Sequence, residues 1–115
     1  MANDNLRAES ASANPIVEHG ILDAAWDAAY SLYRPIADRW EDEYEAADRM
    51  PLSPERDAAF KQFYANLPTF QRARDELMRV PAPTIAAVVK KMDIADASSE
   101  GHHELCLADL RRLAR

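Results

Sequence analysis

The chain is poor in the residues that most often announce a specific chemistry. Its 115 residues include one cysteine, Cys106. An internal disulfide is therefore excluded, and a reducing cytoplasm is the expected setting. The two glycines, Gly20 and Gly101, lie too far apart to form a loop that cradles phosphate. No apolar run approaches the roughly 18 residues that a membrane-spanning helix needs, so no membrane partner is expected. Met1–Asn14 is polar, without the apolar centre of a secretory signal. β-branched residues are few and alanines many, which weights the whole chain towards helix.

What remains is a length suited to one domain. A chain of this size buries roughly 60–70% of its unfolded surface, enough for a single core without staples. We expect an all-α fold: a disordered tail at 1–14, then one helical domain over 15–115. No internal repeat or low-complexity tract interrupts it.

Charge is distributed unevenly. The net charge is −6, yet residues 1–48 hold 11 acidic and 3 basic side chains, a balance of −8. The remainder holds 9 acidic and 11 basic, a balance of +2. The acidic half argues against nucleic acid as its partner, because phosphates require cations.

Most of that acid sits on one stretch, Ile21 to Arg49. With Leu22 at zero and about 100° per residue, Trp26, Ala29, Tyr33, Ile36, Trp40, Tyr44 and Ala47 all fall within roughly 40° of it. Asp23, Asp27, Asp38, Glu41, Asp42 and Glu45 lie towards the far side. Pro35 interrupts the pattern without shifting its phase, and it falls on the solvent side. A kinked, continuous amphipathic helix is the favoured reading, with two helices meeting at Arg34-Pro35 as the alternative. About 29 residues would span about 43 Å, longer than the roughly 35 Å diameter of a compact domain of this size. Either the kink keeps the helix on the body or its end packs on a second copy.

About four shorter helices should pack against this one. Asn14-Pro15 opens a short first turn, and Gly20 loosens the lead into the long helix. Ser53-Pro54 starts the second helix, with Ala59, Phe60, Phe63, Tyr64 and Leu67 inward and Pro68 at its end. Thr69 caps a third, to about Arg79, with Phe70, Ala73, Leu77 and Val80 inward. After the stiff Pro81–Pro83 connector, Thr84 caps a fourth, carrying Ile85, Val88, Val89 and Met92 on one face. Ser98 or Ser99 caps the last, about Glu100 to Ala114, which turns Cys106, Leu107, Leu110, Leu113 and Ala114 inward.

Candidate chemistry is sparse. His102 and Cys106 are four residues apart and could share one helix face, but a structural zinc site needs four ligands and no matching second pair exists. His103 falls in the apolar face, as a hydrogen-bonded core imidazole would, and Cys106 lies on the buried side, where a thiol is inert. No catalytic residue and no cofactor is called for. Arg72, Arg74, Arg79, Lys90 and Lys91 flank the Pro81–Thr84 turn, so region 72–91 could serve a small DNA-binding regulator. The acids Asp38, Glu41, Asp42, Glu45 and Asp48 form the favoured contact surface. Carboxylates three and four apart on a helix are about 5–6 Å from one another, near the phosphate spacing of DNA, so this run could occupy a basic groove on a protein partner.

The segments Pro81–Thr84, Lys90–Ile94 and Ala108–Leu113, with the upstream Trp-and-Tyr helix, resemble small uncharacterised helical proteins of alphaproteobacterial genomes and their prophages. The resemblance spans residues 20–113. It implies a mobile-element setting, in which small proteins often bind host proteins, defence machinery included. A non-enzymatic, cytoplasmic interaction module, an inhibitor of a host protein with a basic surface, is the expectation. A homodimer or homo-oligomeric structural protein and the DNA-binding regulator are the alternatives.

Overall fold

The computed structural model describes residues 15–115; the expected tail at 1–14 lies outside them. Among the described residues every regular element is helical: α1 (Pro15–Arg49), α2 (Pro54–Ala65), α3 (Leu67–Met78), α4 (Ile85–Ile94) and α5 (Glu100–Ala114). No strand occurs among them.

The long helix is longer than its apolar stripe suggests. It begins at Pro15, where a proline's missing N–H costs nothing, and passes through both Gly20 and Pro35 without a break. No separate first turn precedes it within the described residues. Its 35 residues correspond to about 52 Å. Pro35 is exposed, so the carbonyl it leaves without a donor is turned to water, and the chain does not reverse at Arg34-Pro35. Trp26, Tyr33, Ala37 and Ala47 are buried along the inner face. Trp40 shares that side and is clasped between two rings, 3.7 Å from the centroid of Phe63 and 5.2 Å from that of Phe70. Tyr44 is on the same stripe but at its rim, 45% exposed.

α2 and α3 lie closest against α1 and touch each other; α4 pairs with α5, and α5 with α3. The fourth helix reaches the aromatic stripe by side chains instead, with the Lys90 ammonium 4.6 Å from the Tyr30 ring centre and that of Lys91 5.8 Å from Trp26. Leu77, Ala82, Ala87 and Val88 join Trp26, Tyr33 and Ala37 in one core, flanked by Phe70, Ala73, Val80, Leu110 and Leu113.

The helix starts follow from local chemistry. The hydroxyls of Ser53, Thr84 and Ser99 accept from the backbone N–H of Arg56 (3.1 Å), Ala87 (3.1 Å) and His102 (3.2 Å), each satisfying a donor that the first turn would otherwise leave free. The junction of α2 and α3 differs from expectation. Pro68 stands in the first turn of α3 rather than at the end of α2, and Asn66 rather than Thr69 is the residue between them. The Asn66 N–H still donates back to Gln62 and Phe63 while its carbonyl accepts from Phe70, so one residue serves both helices.

The face of α4 is rotated from the one the apolar spacing indicates, while α2 and α5 turn the expected sides inward except at single residues. Tyr64 is 60% exposed. On α4 the inward residues are Ala87, Val88 and Lys91, and Ile85, Val89 and Met92 face solvent. On α5, Ala114 is exposed and Asp109 buried.

Replacing Pro35 with alanine restores a helical hydrogen bond at an exposed position and removes a ring from a helix interior. Proline there is about 3 kcal/mol poorer than alanine, and the existing backbone already accommodates it. Pro35→Ala is expected to raise unfolding stability by about 1–3 kcal/mol, read as a higher urea midpoint with far-UV circular dichroism unchanged.

Candidate protein-contact surface and a buried polar network

Asp38, Glu41, Asp42, Glu45 and Asp48 are all exposed on one flank of α1. The structure divides them by partner. Asp38 is 2.7 Å from Arg34, Glu45 is 3.3 Å from Arg49, and Asp48 is 3.4 Å from Arg56. Glu41 and Asp42 have no cationic partner among the described residues. The exposed pairs contribute little, typically under about 1 kcal/mol each, and so exchange readily for another cation.

Large apolar side chains are also exposed on the C-terminal half of α1 and in the turn after it. Met50 and Leu52, in the turn after α1, are 38% and 89% exposed. Tyr44 meets Phe60 edge-on at 5.8 Å and Phe63 at 5.4 Å. On the acidic side of Trp40 an open cleft of about 270 Å³ is lined by Trp40, Glu41, Tyr44, Glu45 and Phe63. Across Trp40 a second cleft, about 200 Å³, runs between α1 and the start of α3. There Glu43 is already held by Arg39 at 3.5 Å and accepts from the Asn66 amide at 3.1 Å.

The basic residues of region 72–91 are not all at the surface. Arg72, Arg79 and Lys90 are exposed. Arg74 lies over the Phe70 ring at 5.6 Å, beside Asp75 at 3.5 Å and Asp96 at 3.9 Å. Lys91 is 1% exposed. Its ammonium donates to Asp109 at 2.6 Å, and Arg112 donates both to Asp109 at 3.1 Å and to the Ala82 carbonyl. A buried charge demands such a partner, since taking an unpaired ion out of water costs several kcal/mol. The charged residue types gave no sign of this pair. Its trace in the sequence is positional: Lys91 stands three and four residues from Val88 and Ala87, and Asp109 three from Cys106.

The histidines exchange their expected parts. His103 is exposed, and His102 is the buried imidazole. Its Nδ1 accepts from the Asp96 N–H at 3.0 Å and its Nε2 lies 2.8 Å from Asp75, so both ring nitrogens are engaged. Among the described residues no three His, Cys, Asp or Glu side chains are placed to hold a metal ion. Burial raises the Cys106 thiol above its ordinary pKa, with nearby Lys91 opposing, and burial followed by the charge of Glu41 raises the Tyr33 phenol. Asp96 is lowered by the Ser98 hydroxyl and N–H that it accepts from. No helix among the described residues is long and apolar enough to cross a membrane.

No protein-family model, curated protein or solved structure matches the chain.

Asp109→Ala strands the Lys91 ammonium in the core and is expected to cost about 3–5 kcal/mol. The double variant Lys91→Met/Asp109→Leu should recover most of it, both read by urea denaturation. Because Cys106 and Tyr33 hold their protons more tightly folded than unfolded, the stability they add is complete at neutral pH. It is expected to fall as pH rises past their ordinary values of 9.0 and 10.0, with a Cys106→Ser, Tyr33→Phe variant showing a flatter alkaline limb.

Proposed function

We propose that the protein is a non-enzymatic, cytoplasmic interaction module that binds a basic protein surface through the C-terminal half of α1. The observation that carries this reading is the exposed ring of Tyr44 in one cleft with Glu41, which has no cationic partner among the described residues, with Met50 and Leu52 exposed further along the same end. A merely solvated helix face does not need large apolar neighbours, whereas contact surfaces combine aromatic anchors with a charged rim. The long helix, continuous through Pro35 and packed on α2 and α3, is the support in this reading. The likeness to prophage-borne proteins suggests an inhibitor that fills a basic groove of a host protein.

The DNA-binding alternative is left with Arg72, Arg79 and Lys90 as accessible cations, because Lys91 is occupied by Asp109. Self-association is favoured by a different feature. Ile21, Ala25, Ala28 and Leu32 are exposed in steps of four, three and four along one flank of α1, with Ile21 64% and Leu32 75% open. That spacing matches a helix–helix seam, and light scattering on Leu32→Glu beside the parent chain tests it.

Charge reversal separates these readings. In a pull-down from an alphaproteobacterial lysate at low salt, a partner held by the parent chain is expected to be lost with Glu41→Lys/Asp42→Lys/Glu45→Lys, whose helical circular dichroism should match the parent's. Partner retention by that variant, or strong heparin retention of the parent chain, would count against the acidic surface.

A further inference from the structure

Arginine over an aromatic ring, with a carboxylate at its side, recurs in this fold. Arg34 lies 6.0 Å from the Tyr30 ring centre and pairs with Asp38. Arg56 lies 4.8 Å from Phe60 and pairs with Asp48. Arg74 lies 5.6 Å from Phe70 beside Asp75 and Asp96. In each case the ring's negative face and the carboxylate hold one guanidinium together.

The cleft beside Trp40 has the same parts without the arginine. Tyr44 stands at 45% exposure between Glu41 and Glu45, on a floor of Trp40 and Phe63. Arg49 pairs with Glu45 from the solvent side, 78% exposed, and does not lie over a ring. Glu41 has no cationic partner among the described residues. The cleft, about 270 Å³, has room for a guanidinium and its alkyl stem.

We propose that this cleft is a receptor for an arginine side chain of the protein partner, with Tyr44 as the stacking face and Glu41 and Glu45 as the acceptors. This rests on the acidic-surface reading and makes it local, because two carboxylates and one ring, rather than the whole face, select the partner. Arginine fits better than lysine, since its planar fork can lie on a ring while donating to a carboxylate at its edge. An ammonium presents a compact, strongly hydrated charge instead.

Titration of the full chain with a capped hexa-arginine peptide at low salt, followed by calorimetry, tests this. Glu41→Gln is expected to weaken binding about tenfold. Tyr44→Leu, which keeps apolar bulk and removes the ring, should weaken it about fivefold. Asp42→Asn, an equal change of charge outside the cleft, should stay within about twofold. Hexa-lysine should bind several-fold more weakly, and hexa-citrulline should not bind. Equal losses for Glu41→Gln and Asp42→Asn with Tyr44→Leu silent would overturn the cleft while leaving a diffuse acidic surface standing. Absence of hexa-arginine binding to the parent chain would overturn the cleft, and the pull-down then decides the broader reading by itself.

Discussion

A buried ammonium has to be paired, and that requirement orients the second half of this molecule. Lys91 is inside the fold, so Asp109 must be too, and the two residues fix how α4 and α5 are rotated about their own axes. Arg112 then closes the arrangement by reaching from Asp109 to the Ala82 carbonyl, which ties the connector before α4 to the last helix. Trp26 lies over the ammonium, and so the long helix takes part in the same contact. The rotation has a consequence on the other side: with Ala87, Val88 and Lys91 inward, Ile85, Val89 and Met92 have nowhere to point but out. Ion pairs of this kind are weak sources of stability compared with apolar packing but strong constraints on geometry, since any other rotation leaves a charge bare.

At the opposite end the constraint is aromatic. Trp40 stacks on Phe63 from α2 and on Phe70 from α3, and Tyr33, about two turns further back, meets Phe70 as well. Offset and tilted ring pairs add roughly 0.5–1.5 kcal/mol each beyond the area they bury. Both short helices are thereby fixed to the long one, and Asn66 between them needs no loop of its own. Rings held this way also give the Tyr44 rim a fixed backing.

Much of this could be read from the sequence where one rule dominated. The stripe from Leu22 to Ala47 is long and regular enough that Pro35 could not disguise it, and the Ser53, Thr84 and Ser99 caps are local chemistry with few alternatives. The sequence misled where a tertiary partner overrode the local pattern. Apolar spacing assigned Ile85, Val89 and Met92 to the core and left Lys91 outside, because nothing near Lys91 in the chain reveals Asp109 as its counter-ion. The same holds for His102 and His103: either fits a helix face, and only Asp75, together with the Asp96 N–H, decides between them. Pro68 ends an apolar run and so looks like a stop, although proline is equally at home in a first turn, where it stands. For the candidate surface, the five acids are visible in the sequence as a face, but Tyr44 shares the phase of the buried stripe, so its exposure at the rim is not. The division between paired and unpaired carboxylates depends on Arg56, which arrives from another helix.

The placement of those acids runs against the physics of the helix that carries them. The C-terminal end of a helix is its negative end, where cations are favoured and carboxylates in the last turn are disfavoured by a few tenths to about 1 kcal/mol. On α1 Glu45 and Asp48 approach that end, and Arg49 and Arg56 moderate the conflict without removing the charge of Glu41 and Asp42. Near the middle of the same helix the Lys90 and Lys91 ammonium groups of α4 lie over Tyr30 and Trp26. Acids also stand in the first half of α1, Asp23 and Asp27 among them, and Arg49 is in its last turn, so it is only the carboxylates closest to the C-terminal end that run against the dipole. Local rules are most often broken where a surface serves contact, and here the break coincides with the exposed ring of Tyr44. Glu45 thus stands beside the exposed ring of Tyr44, towards the end of α1 where helix electrostatics by themselves would not have placed a carboxylate.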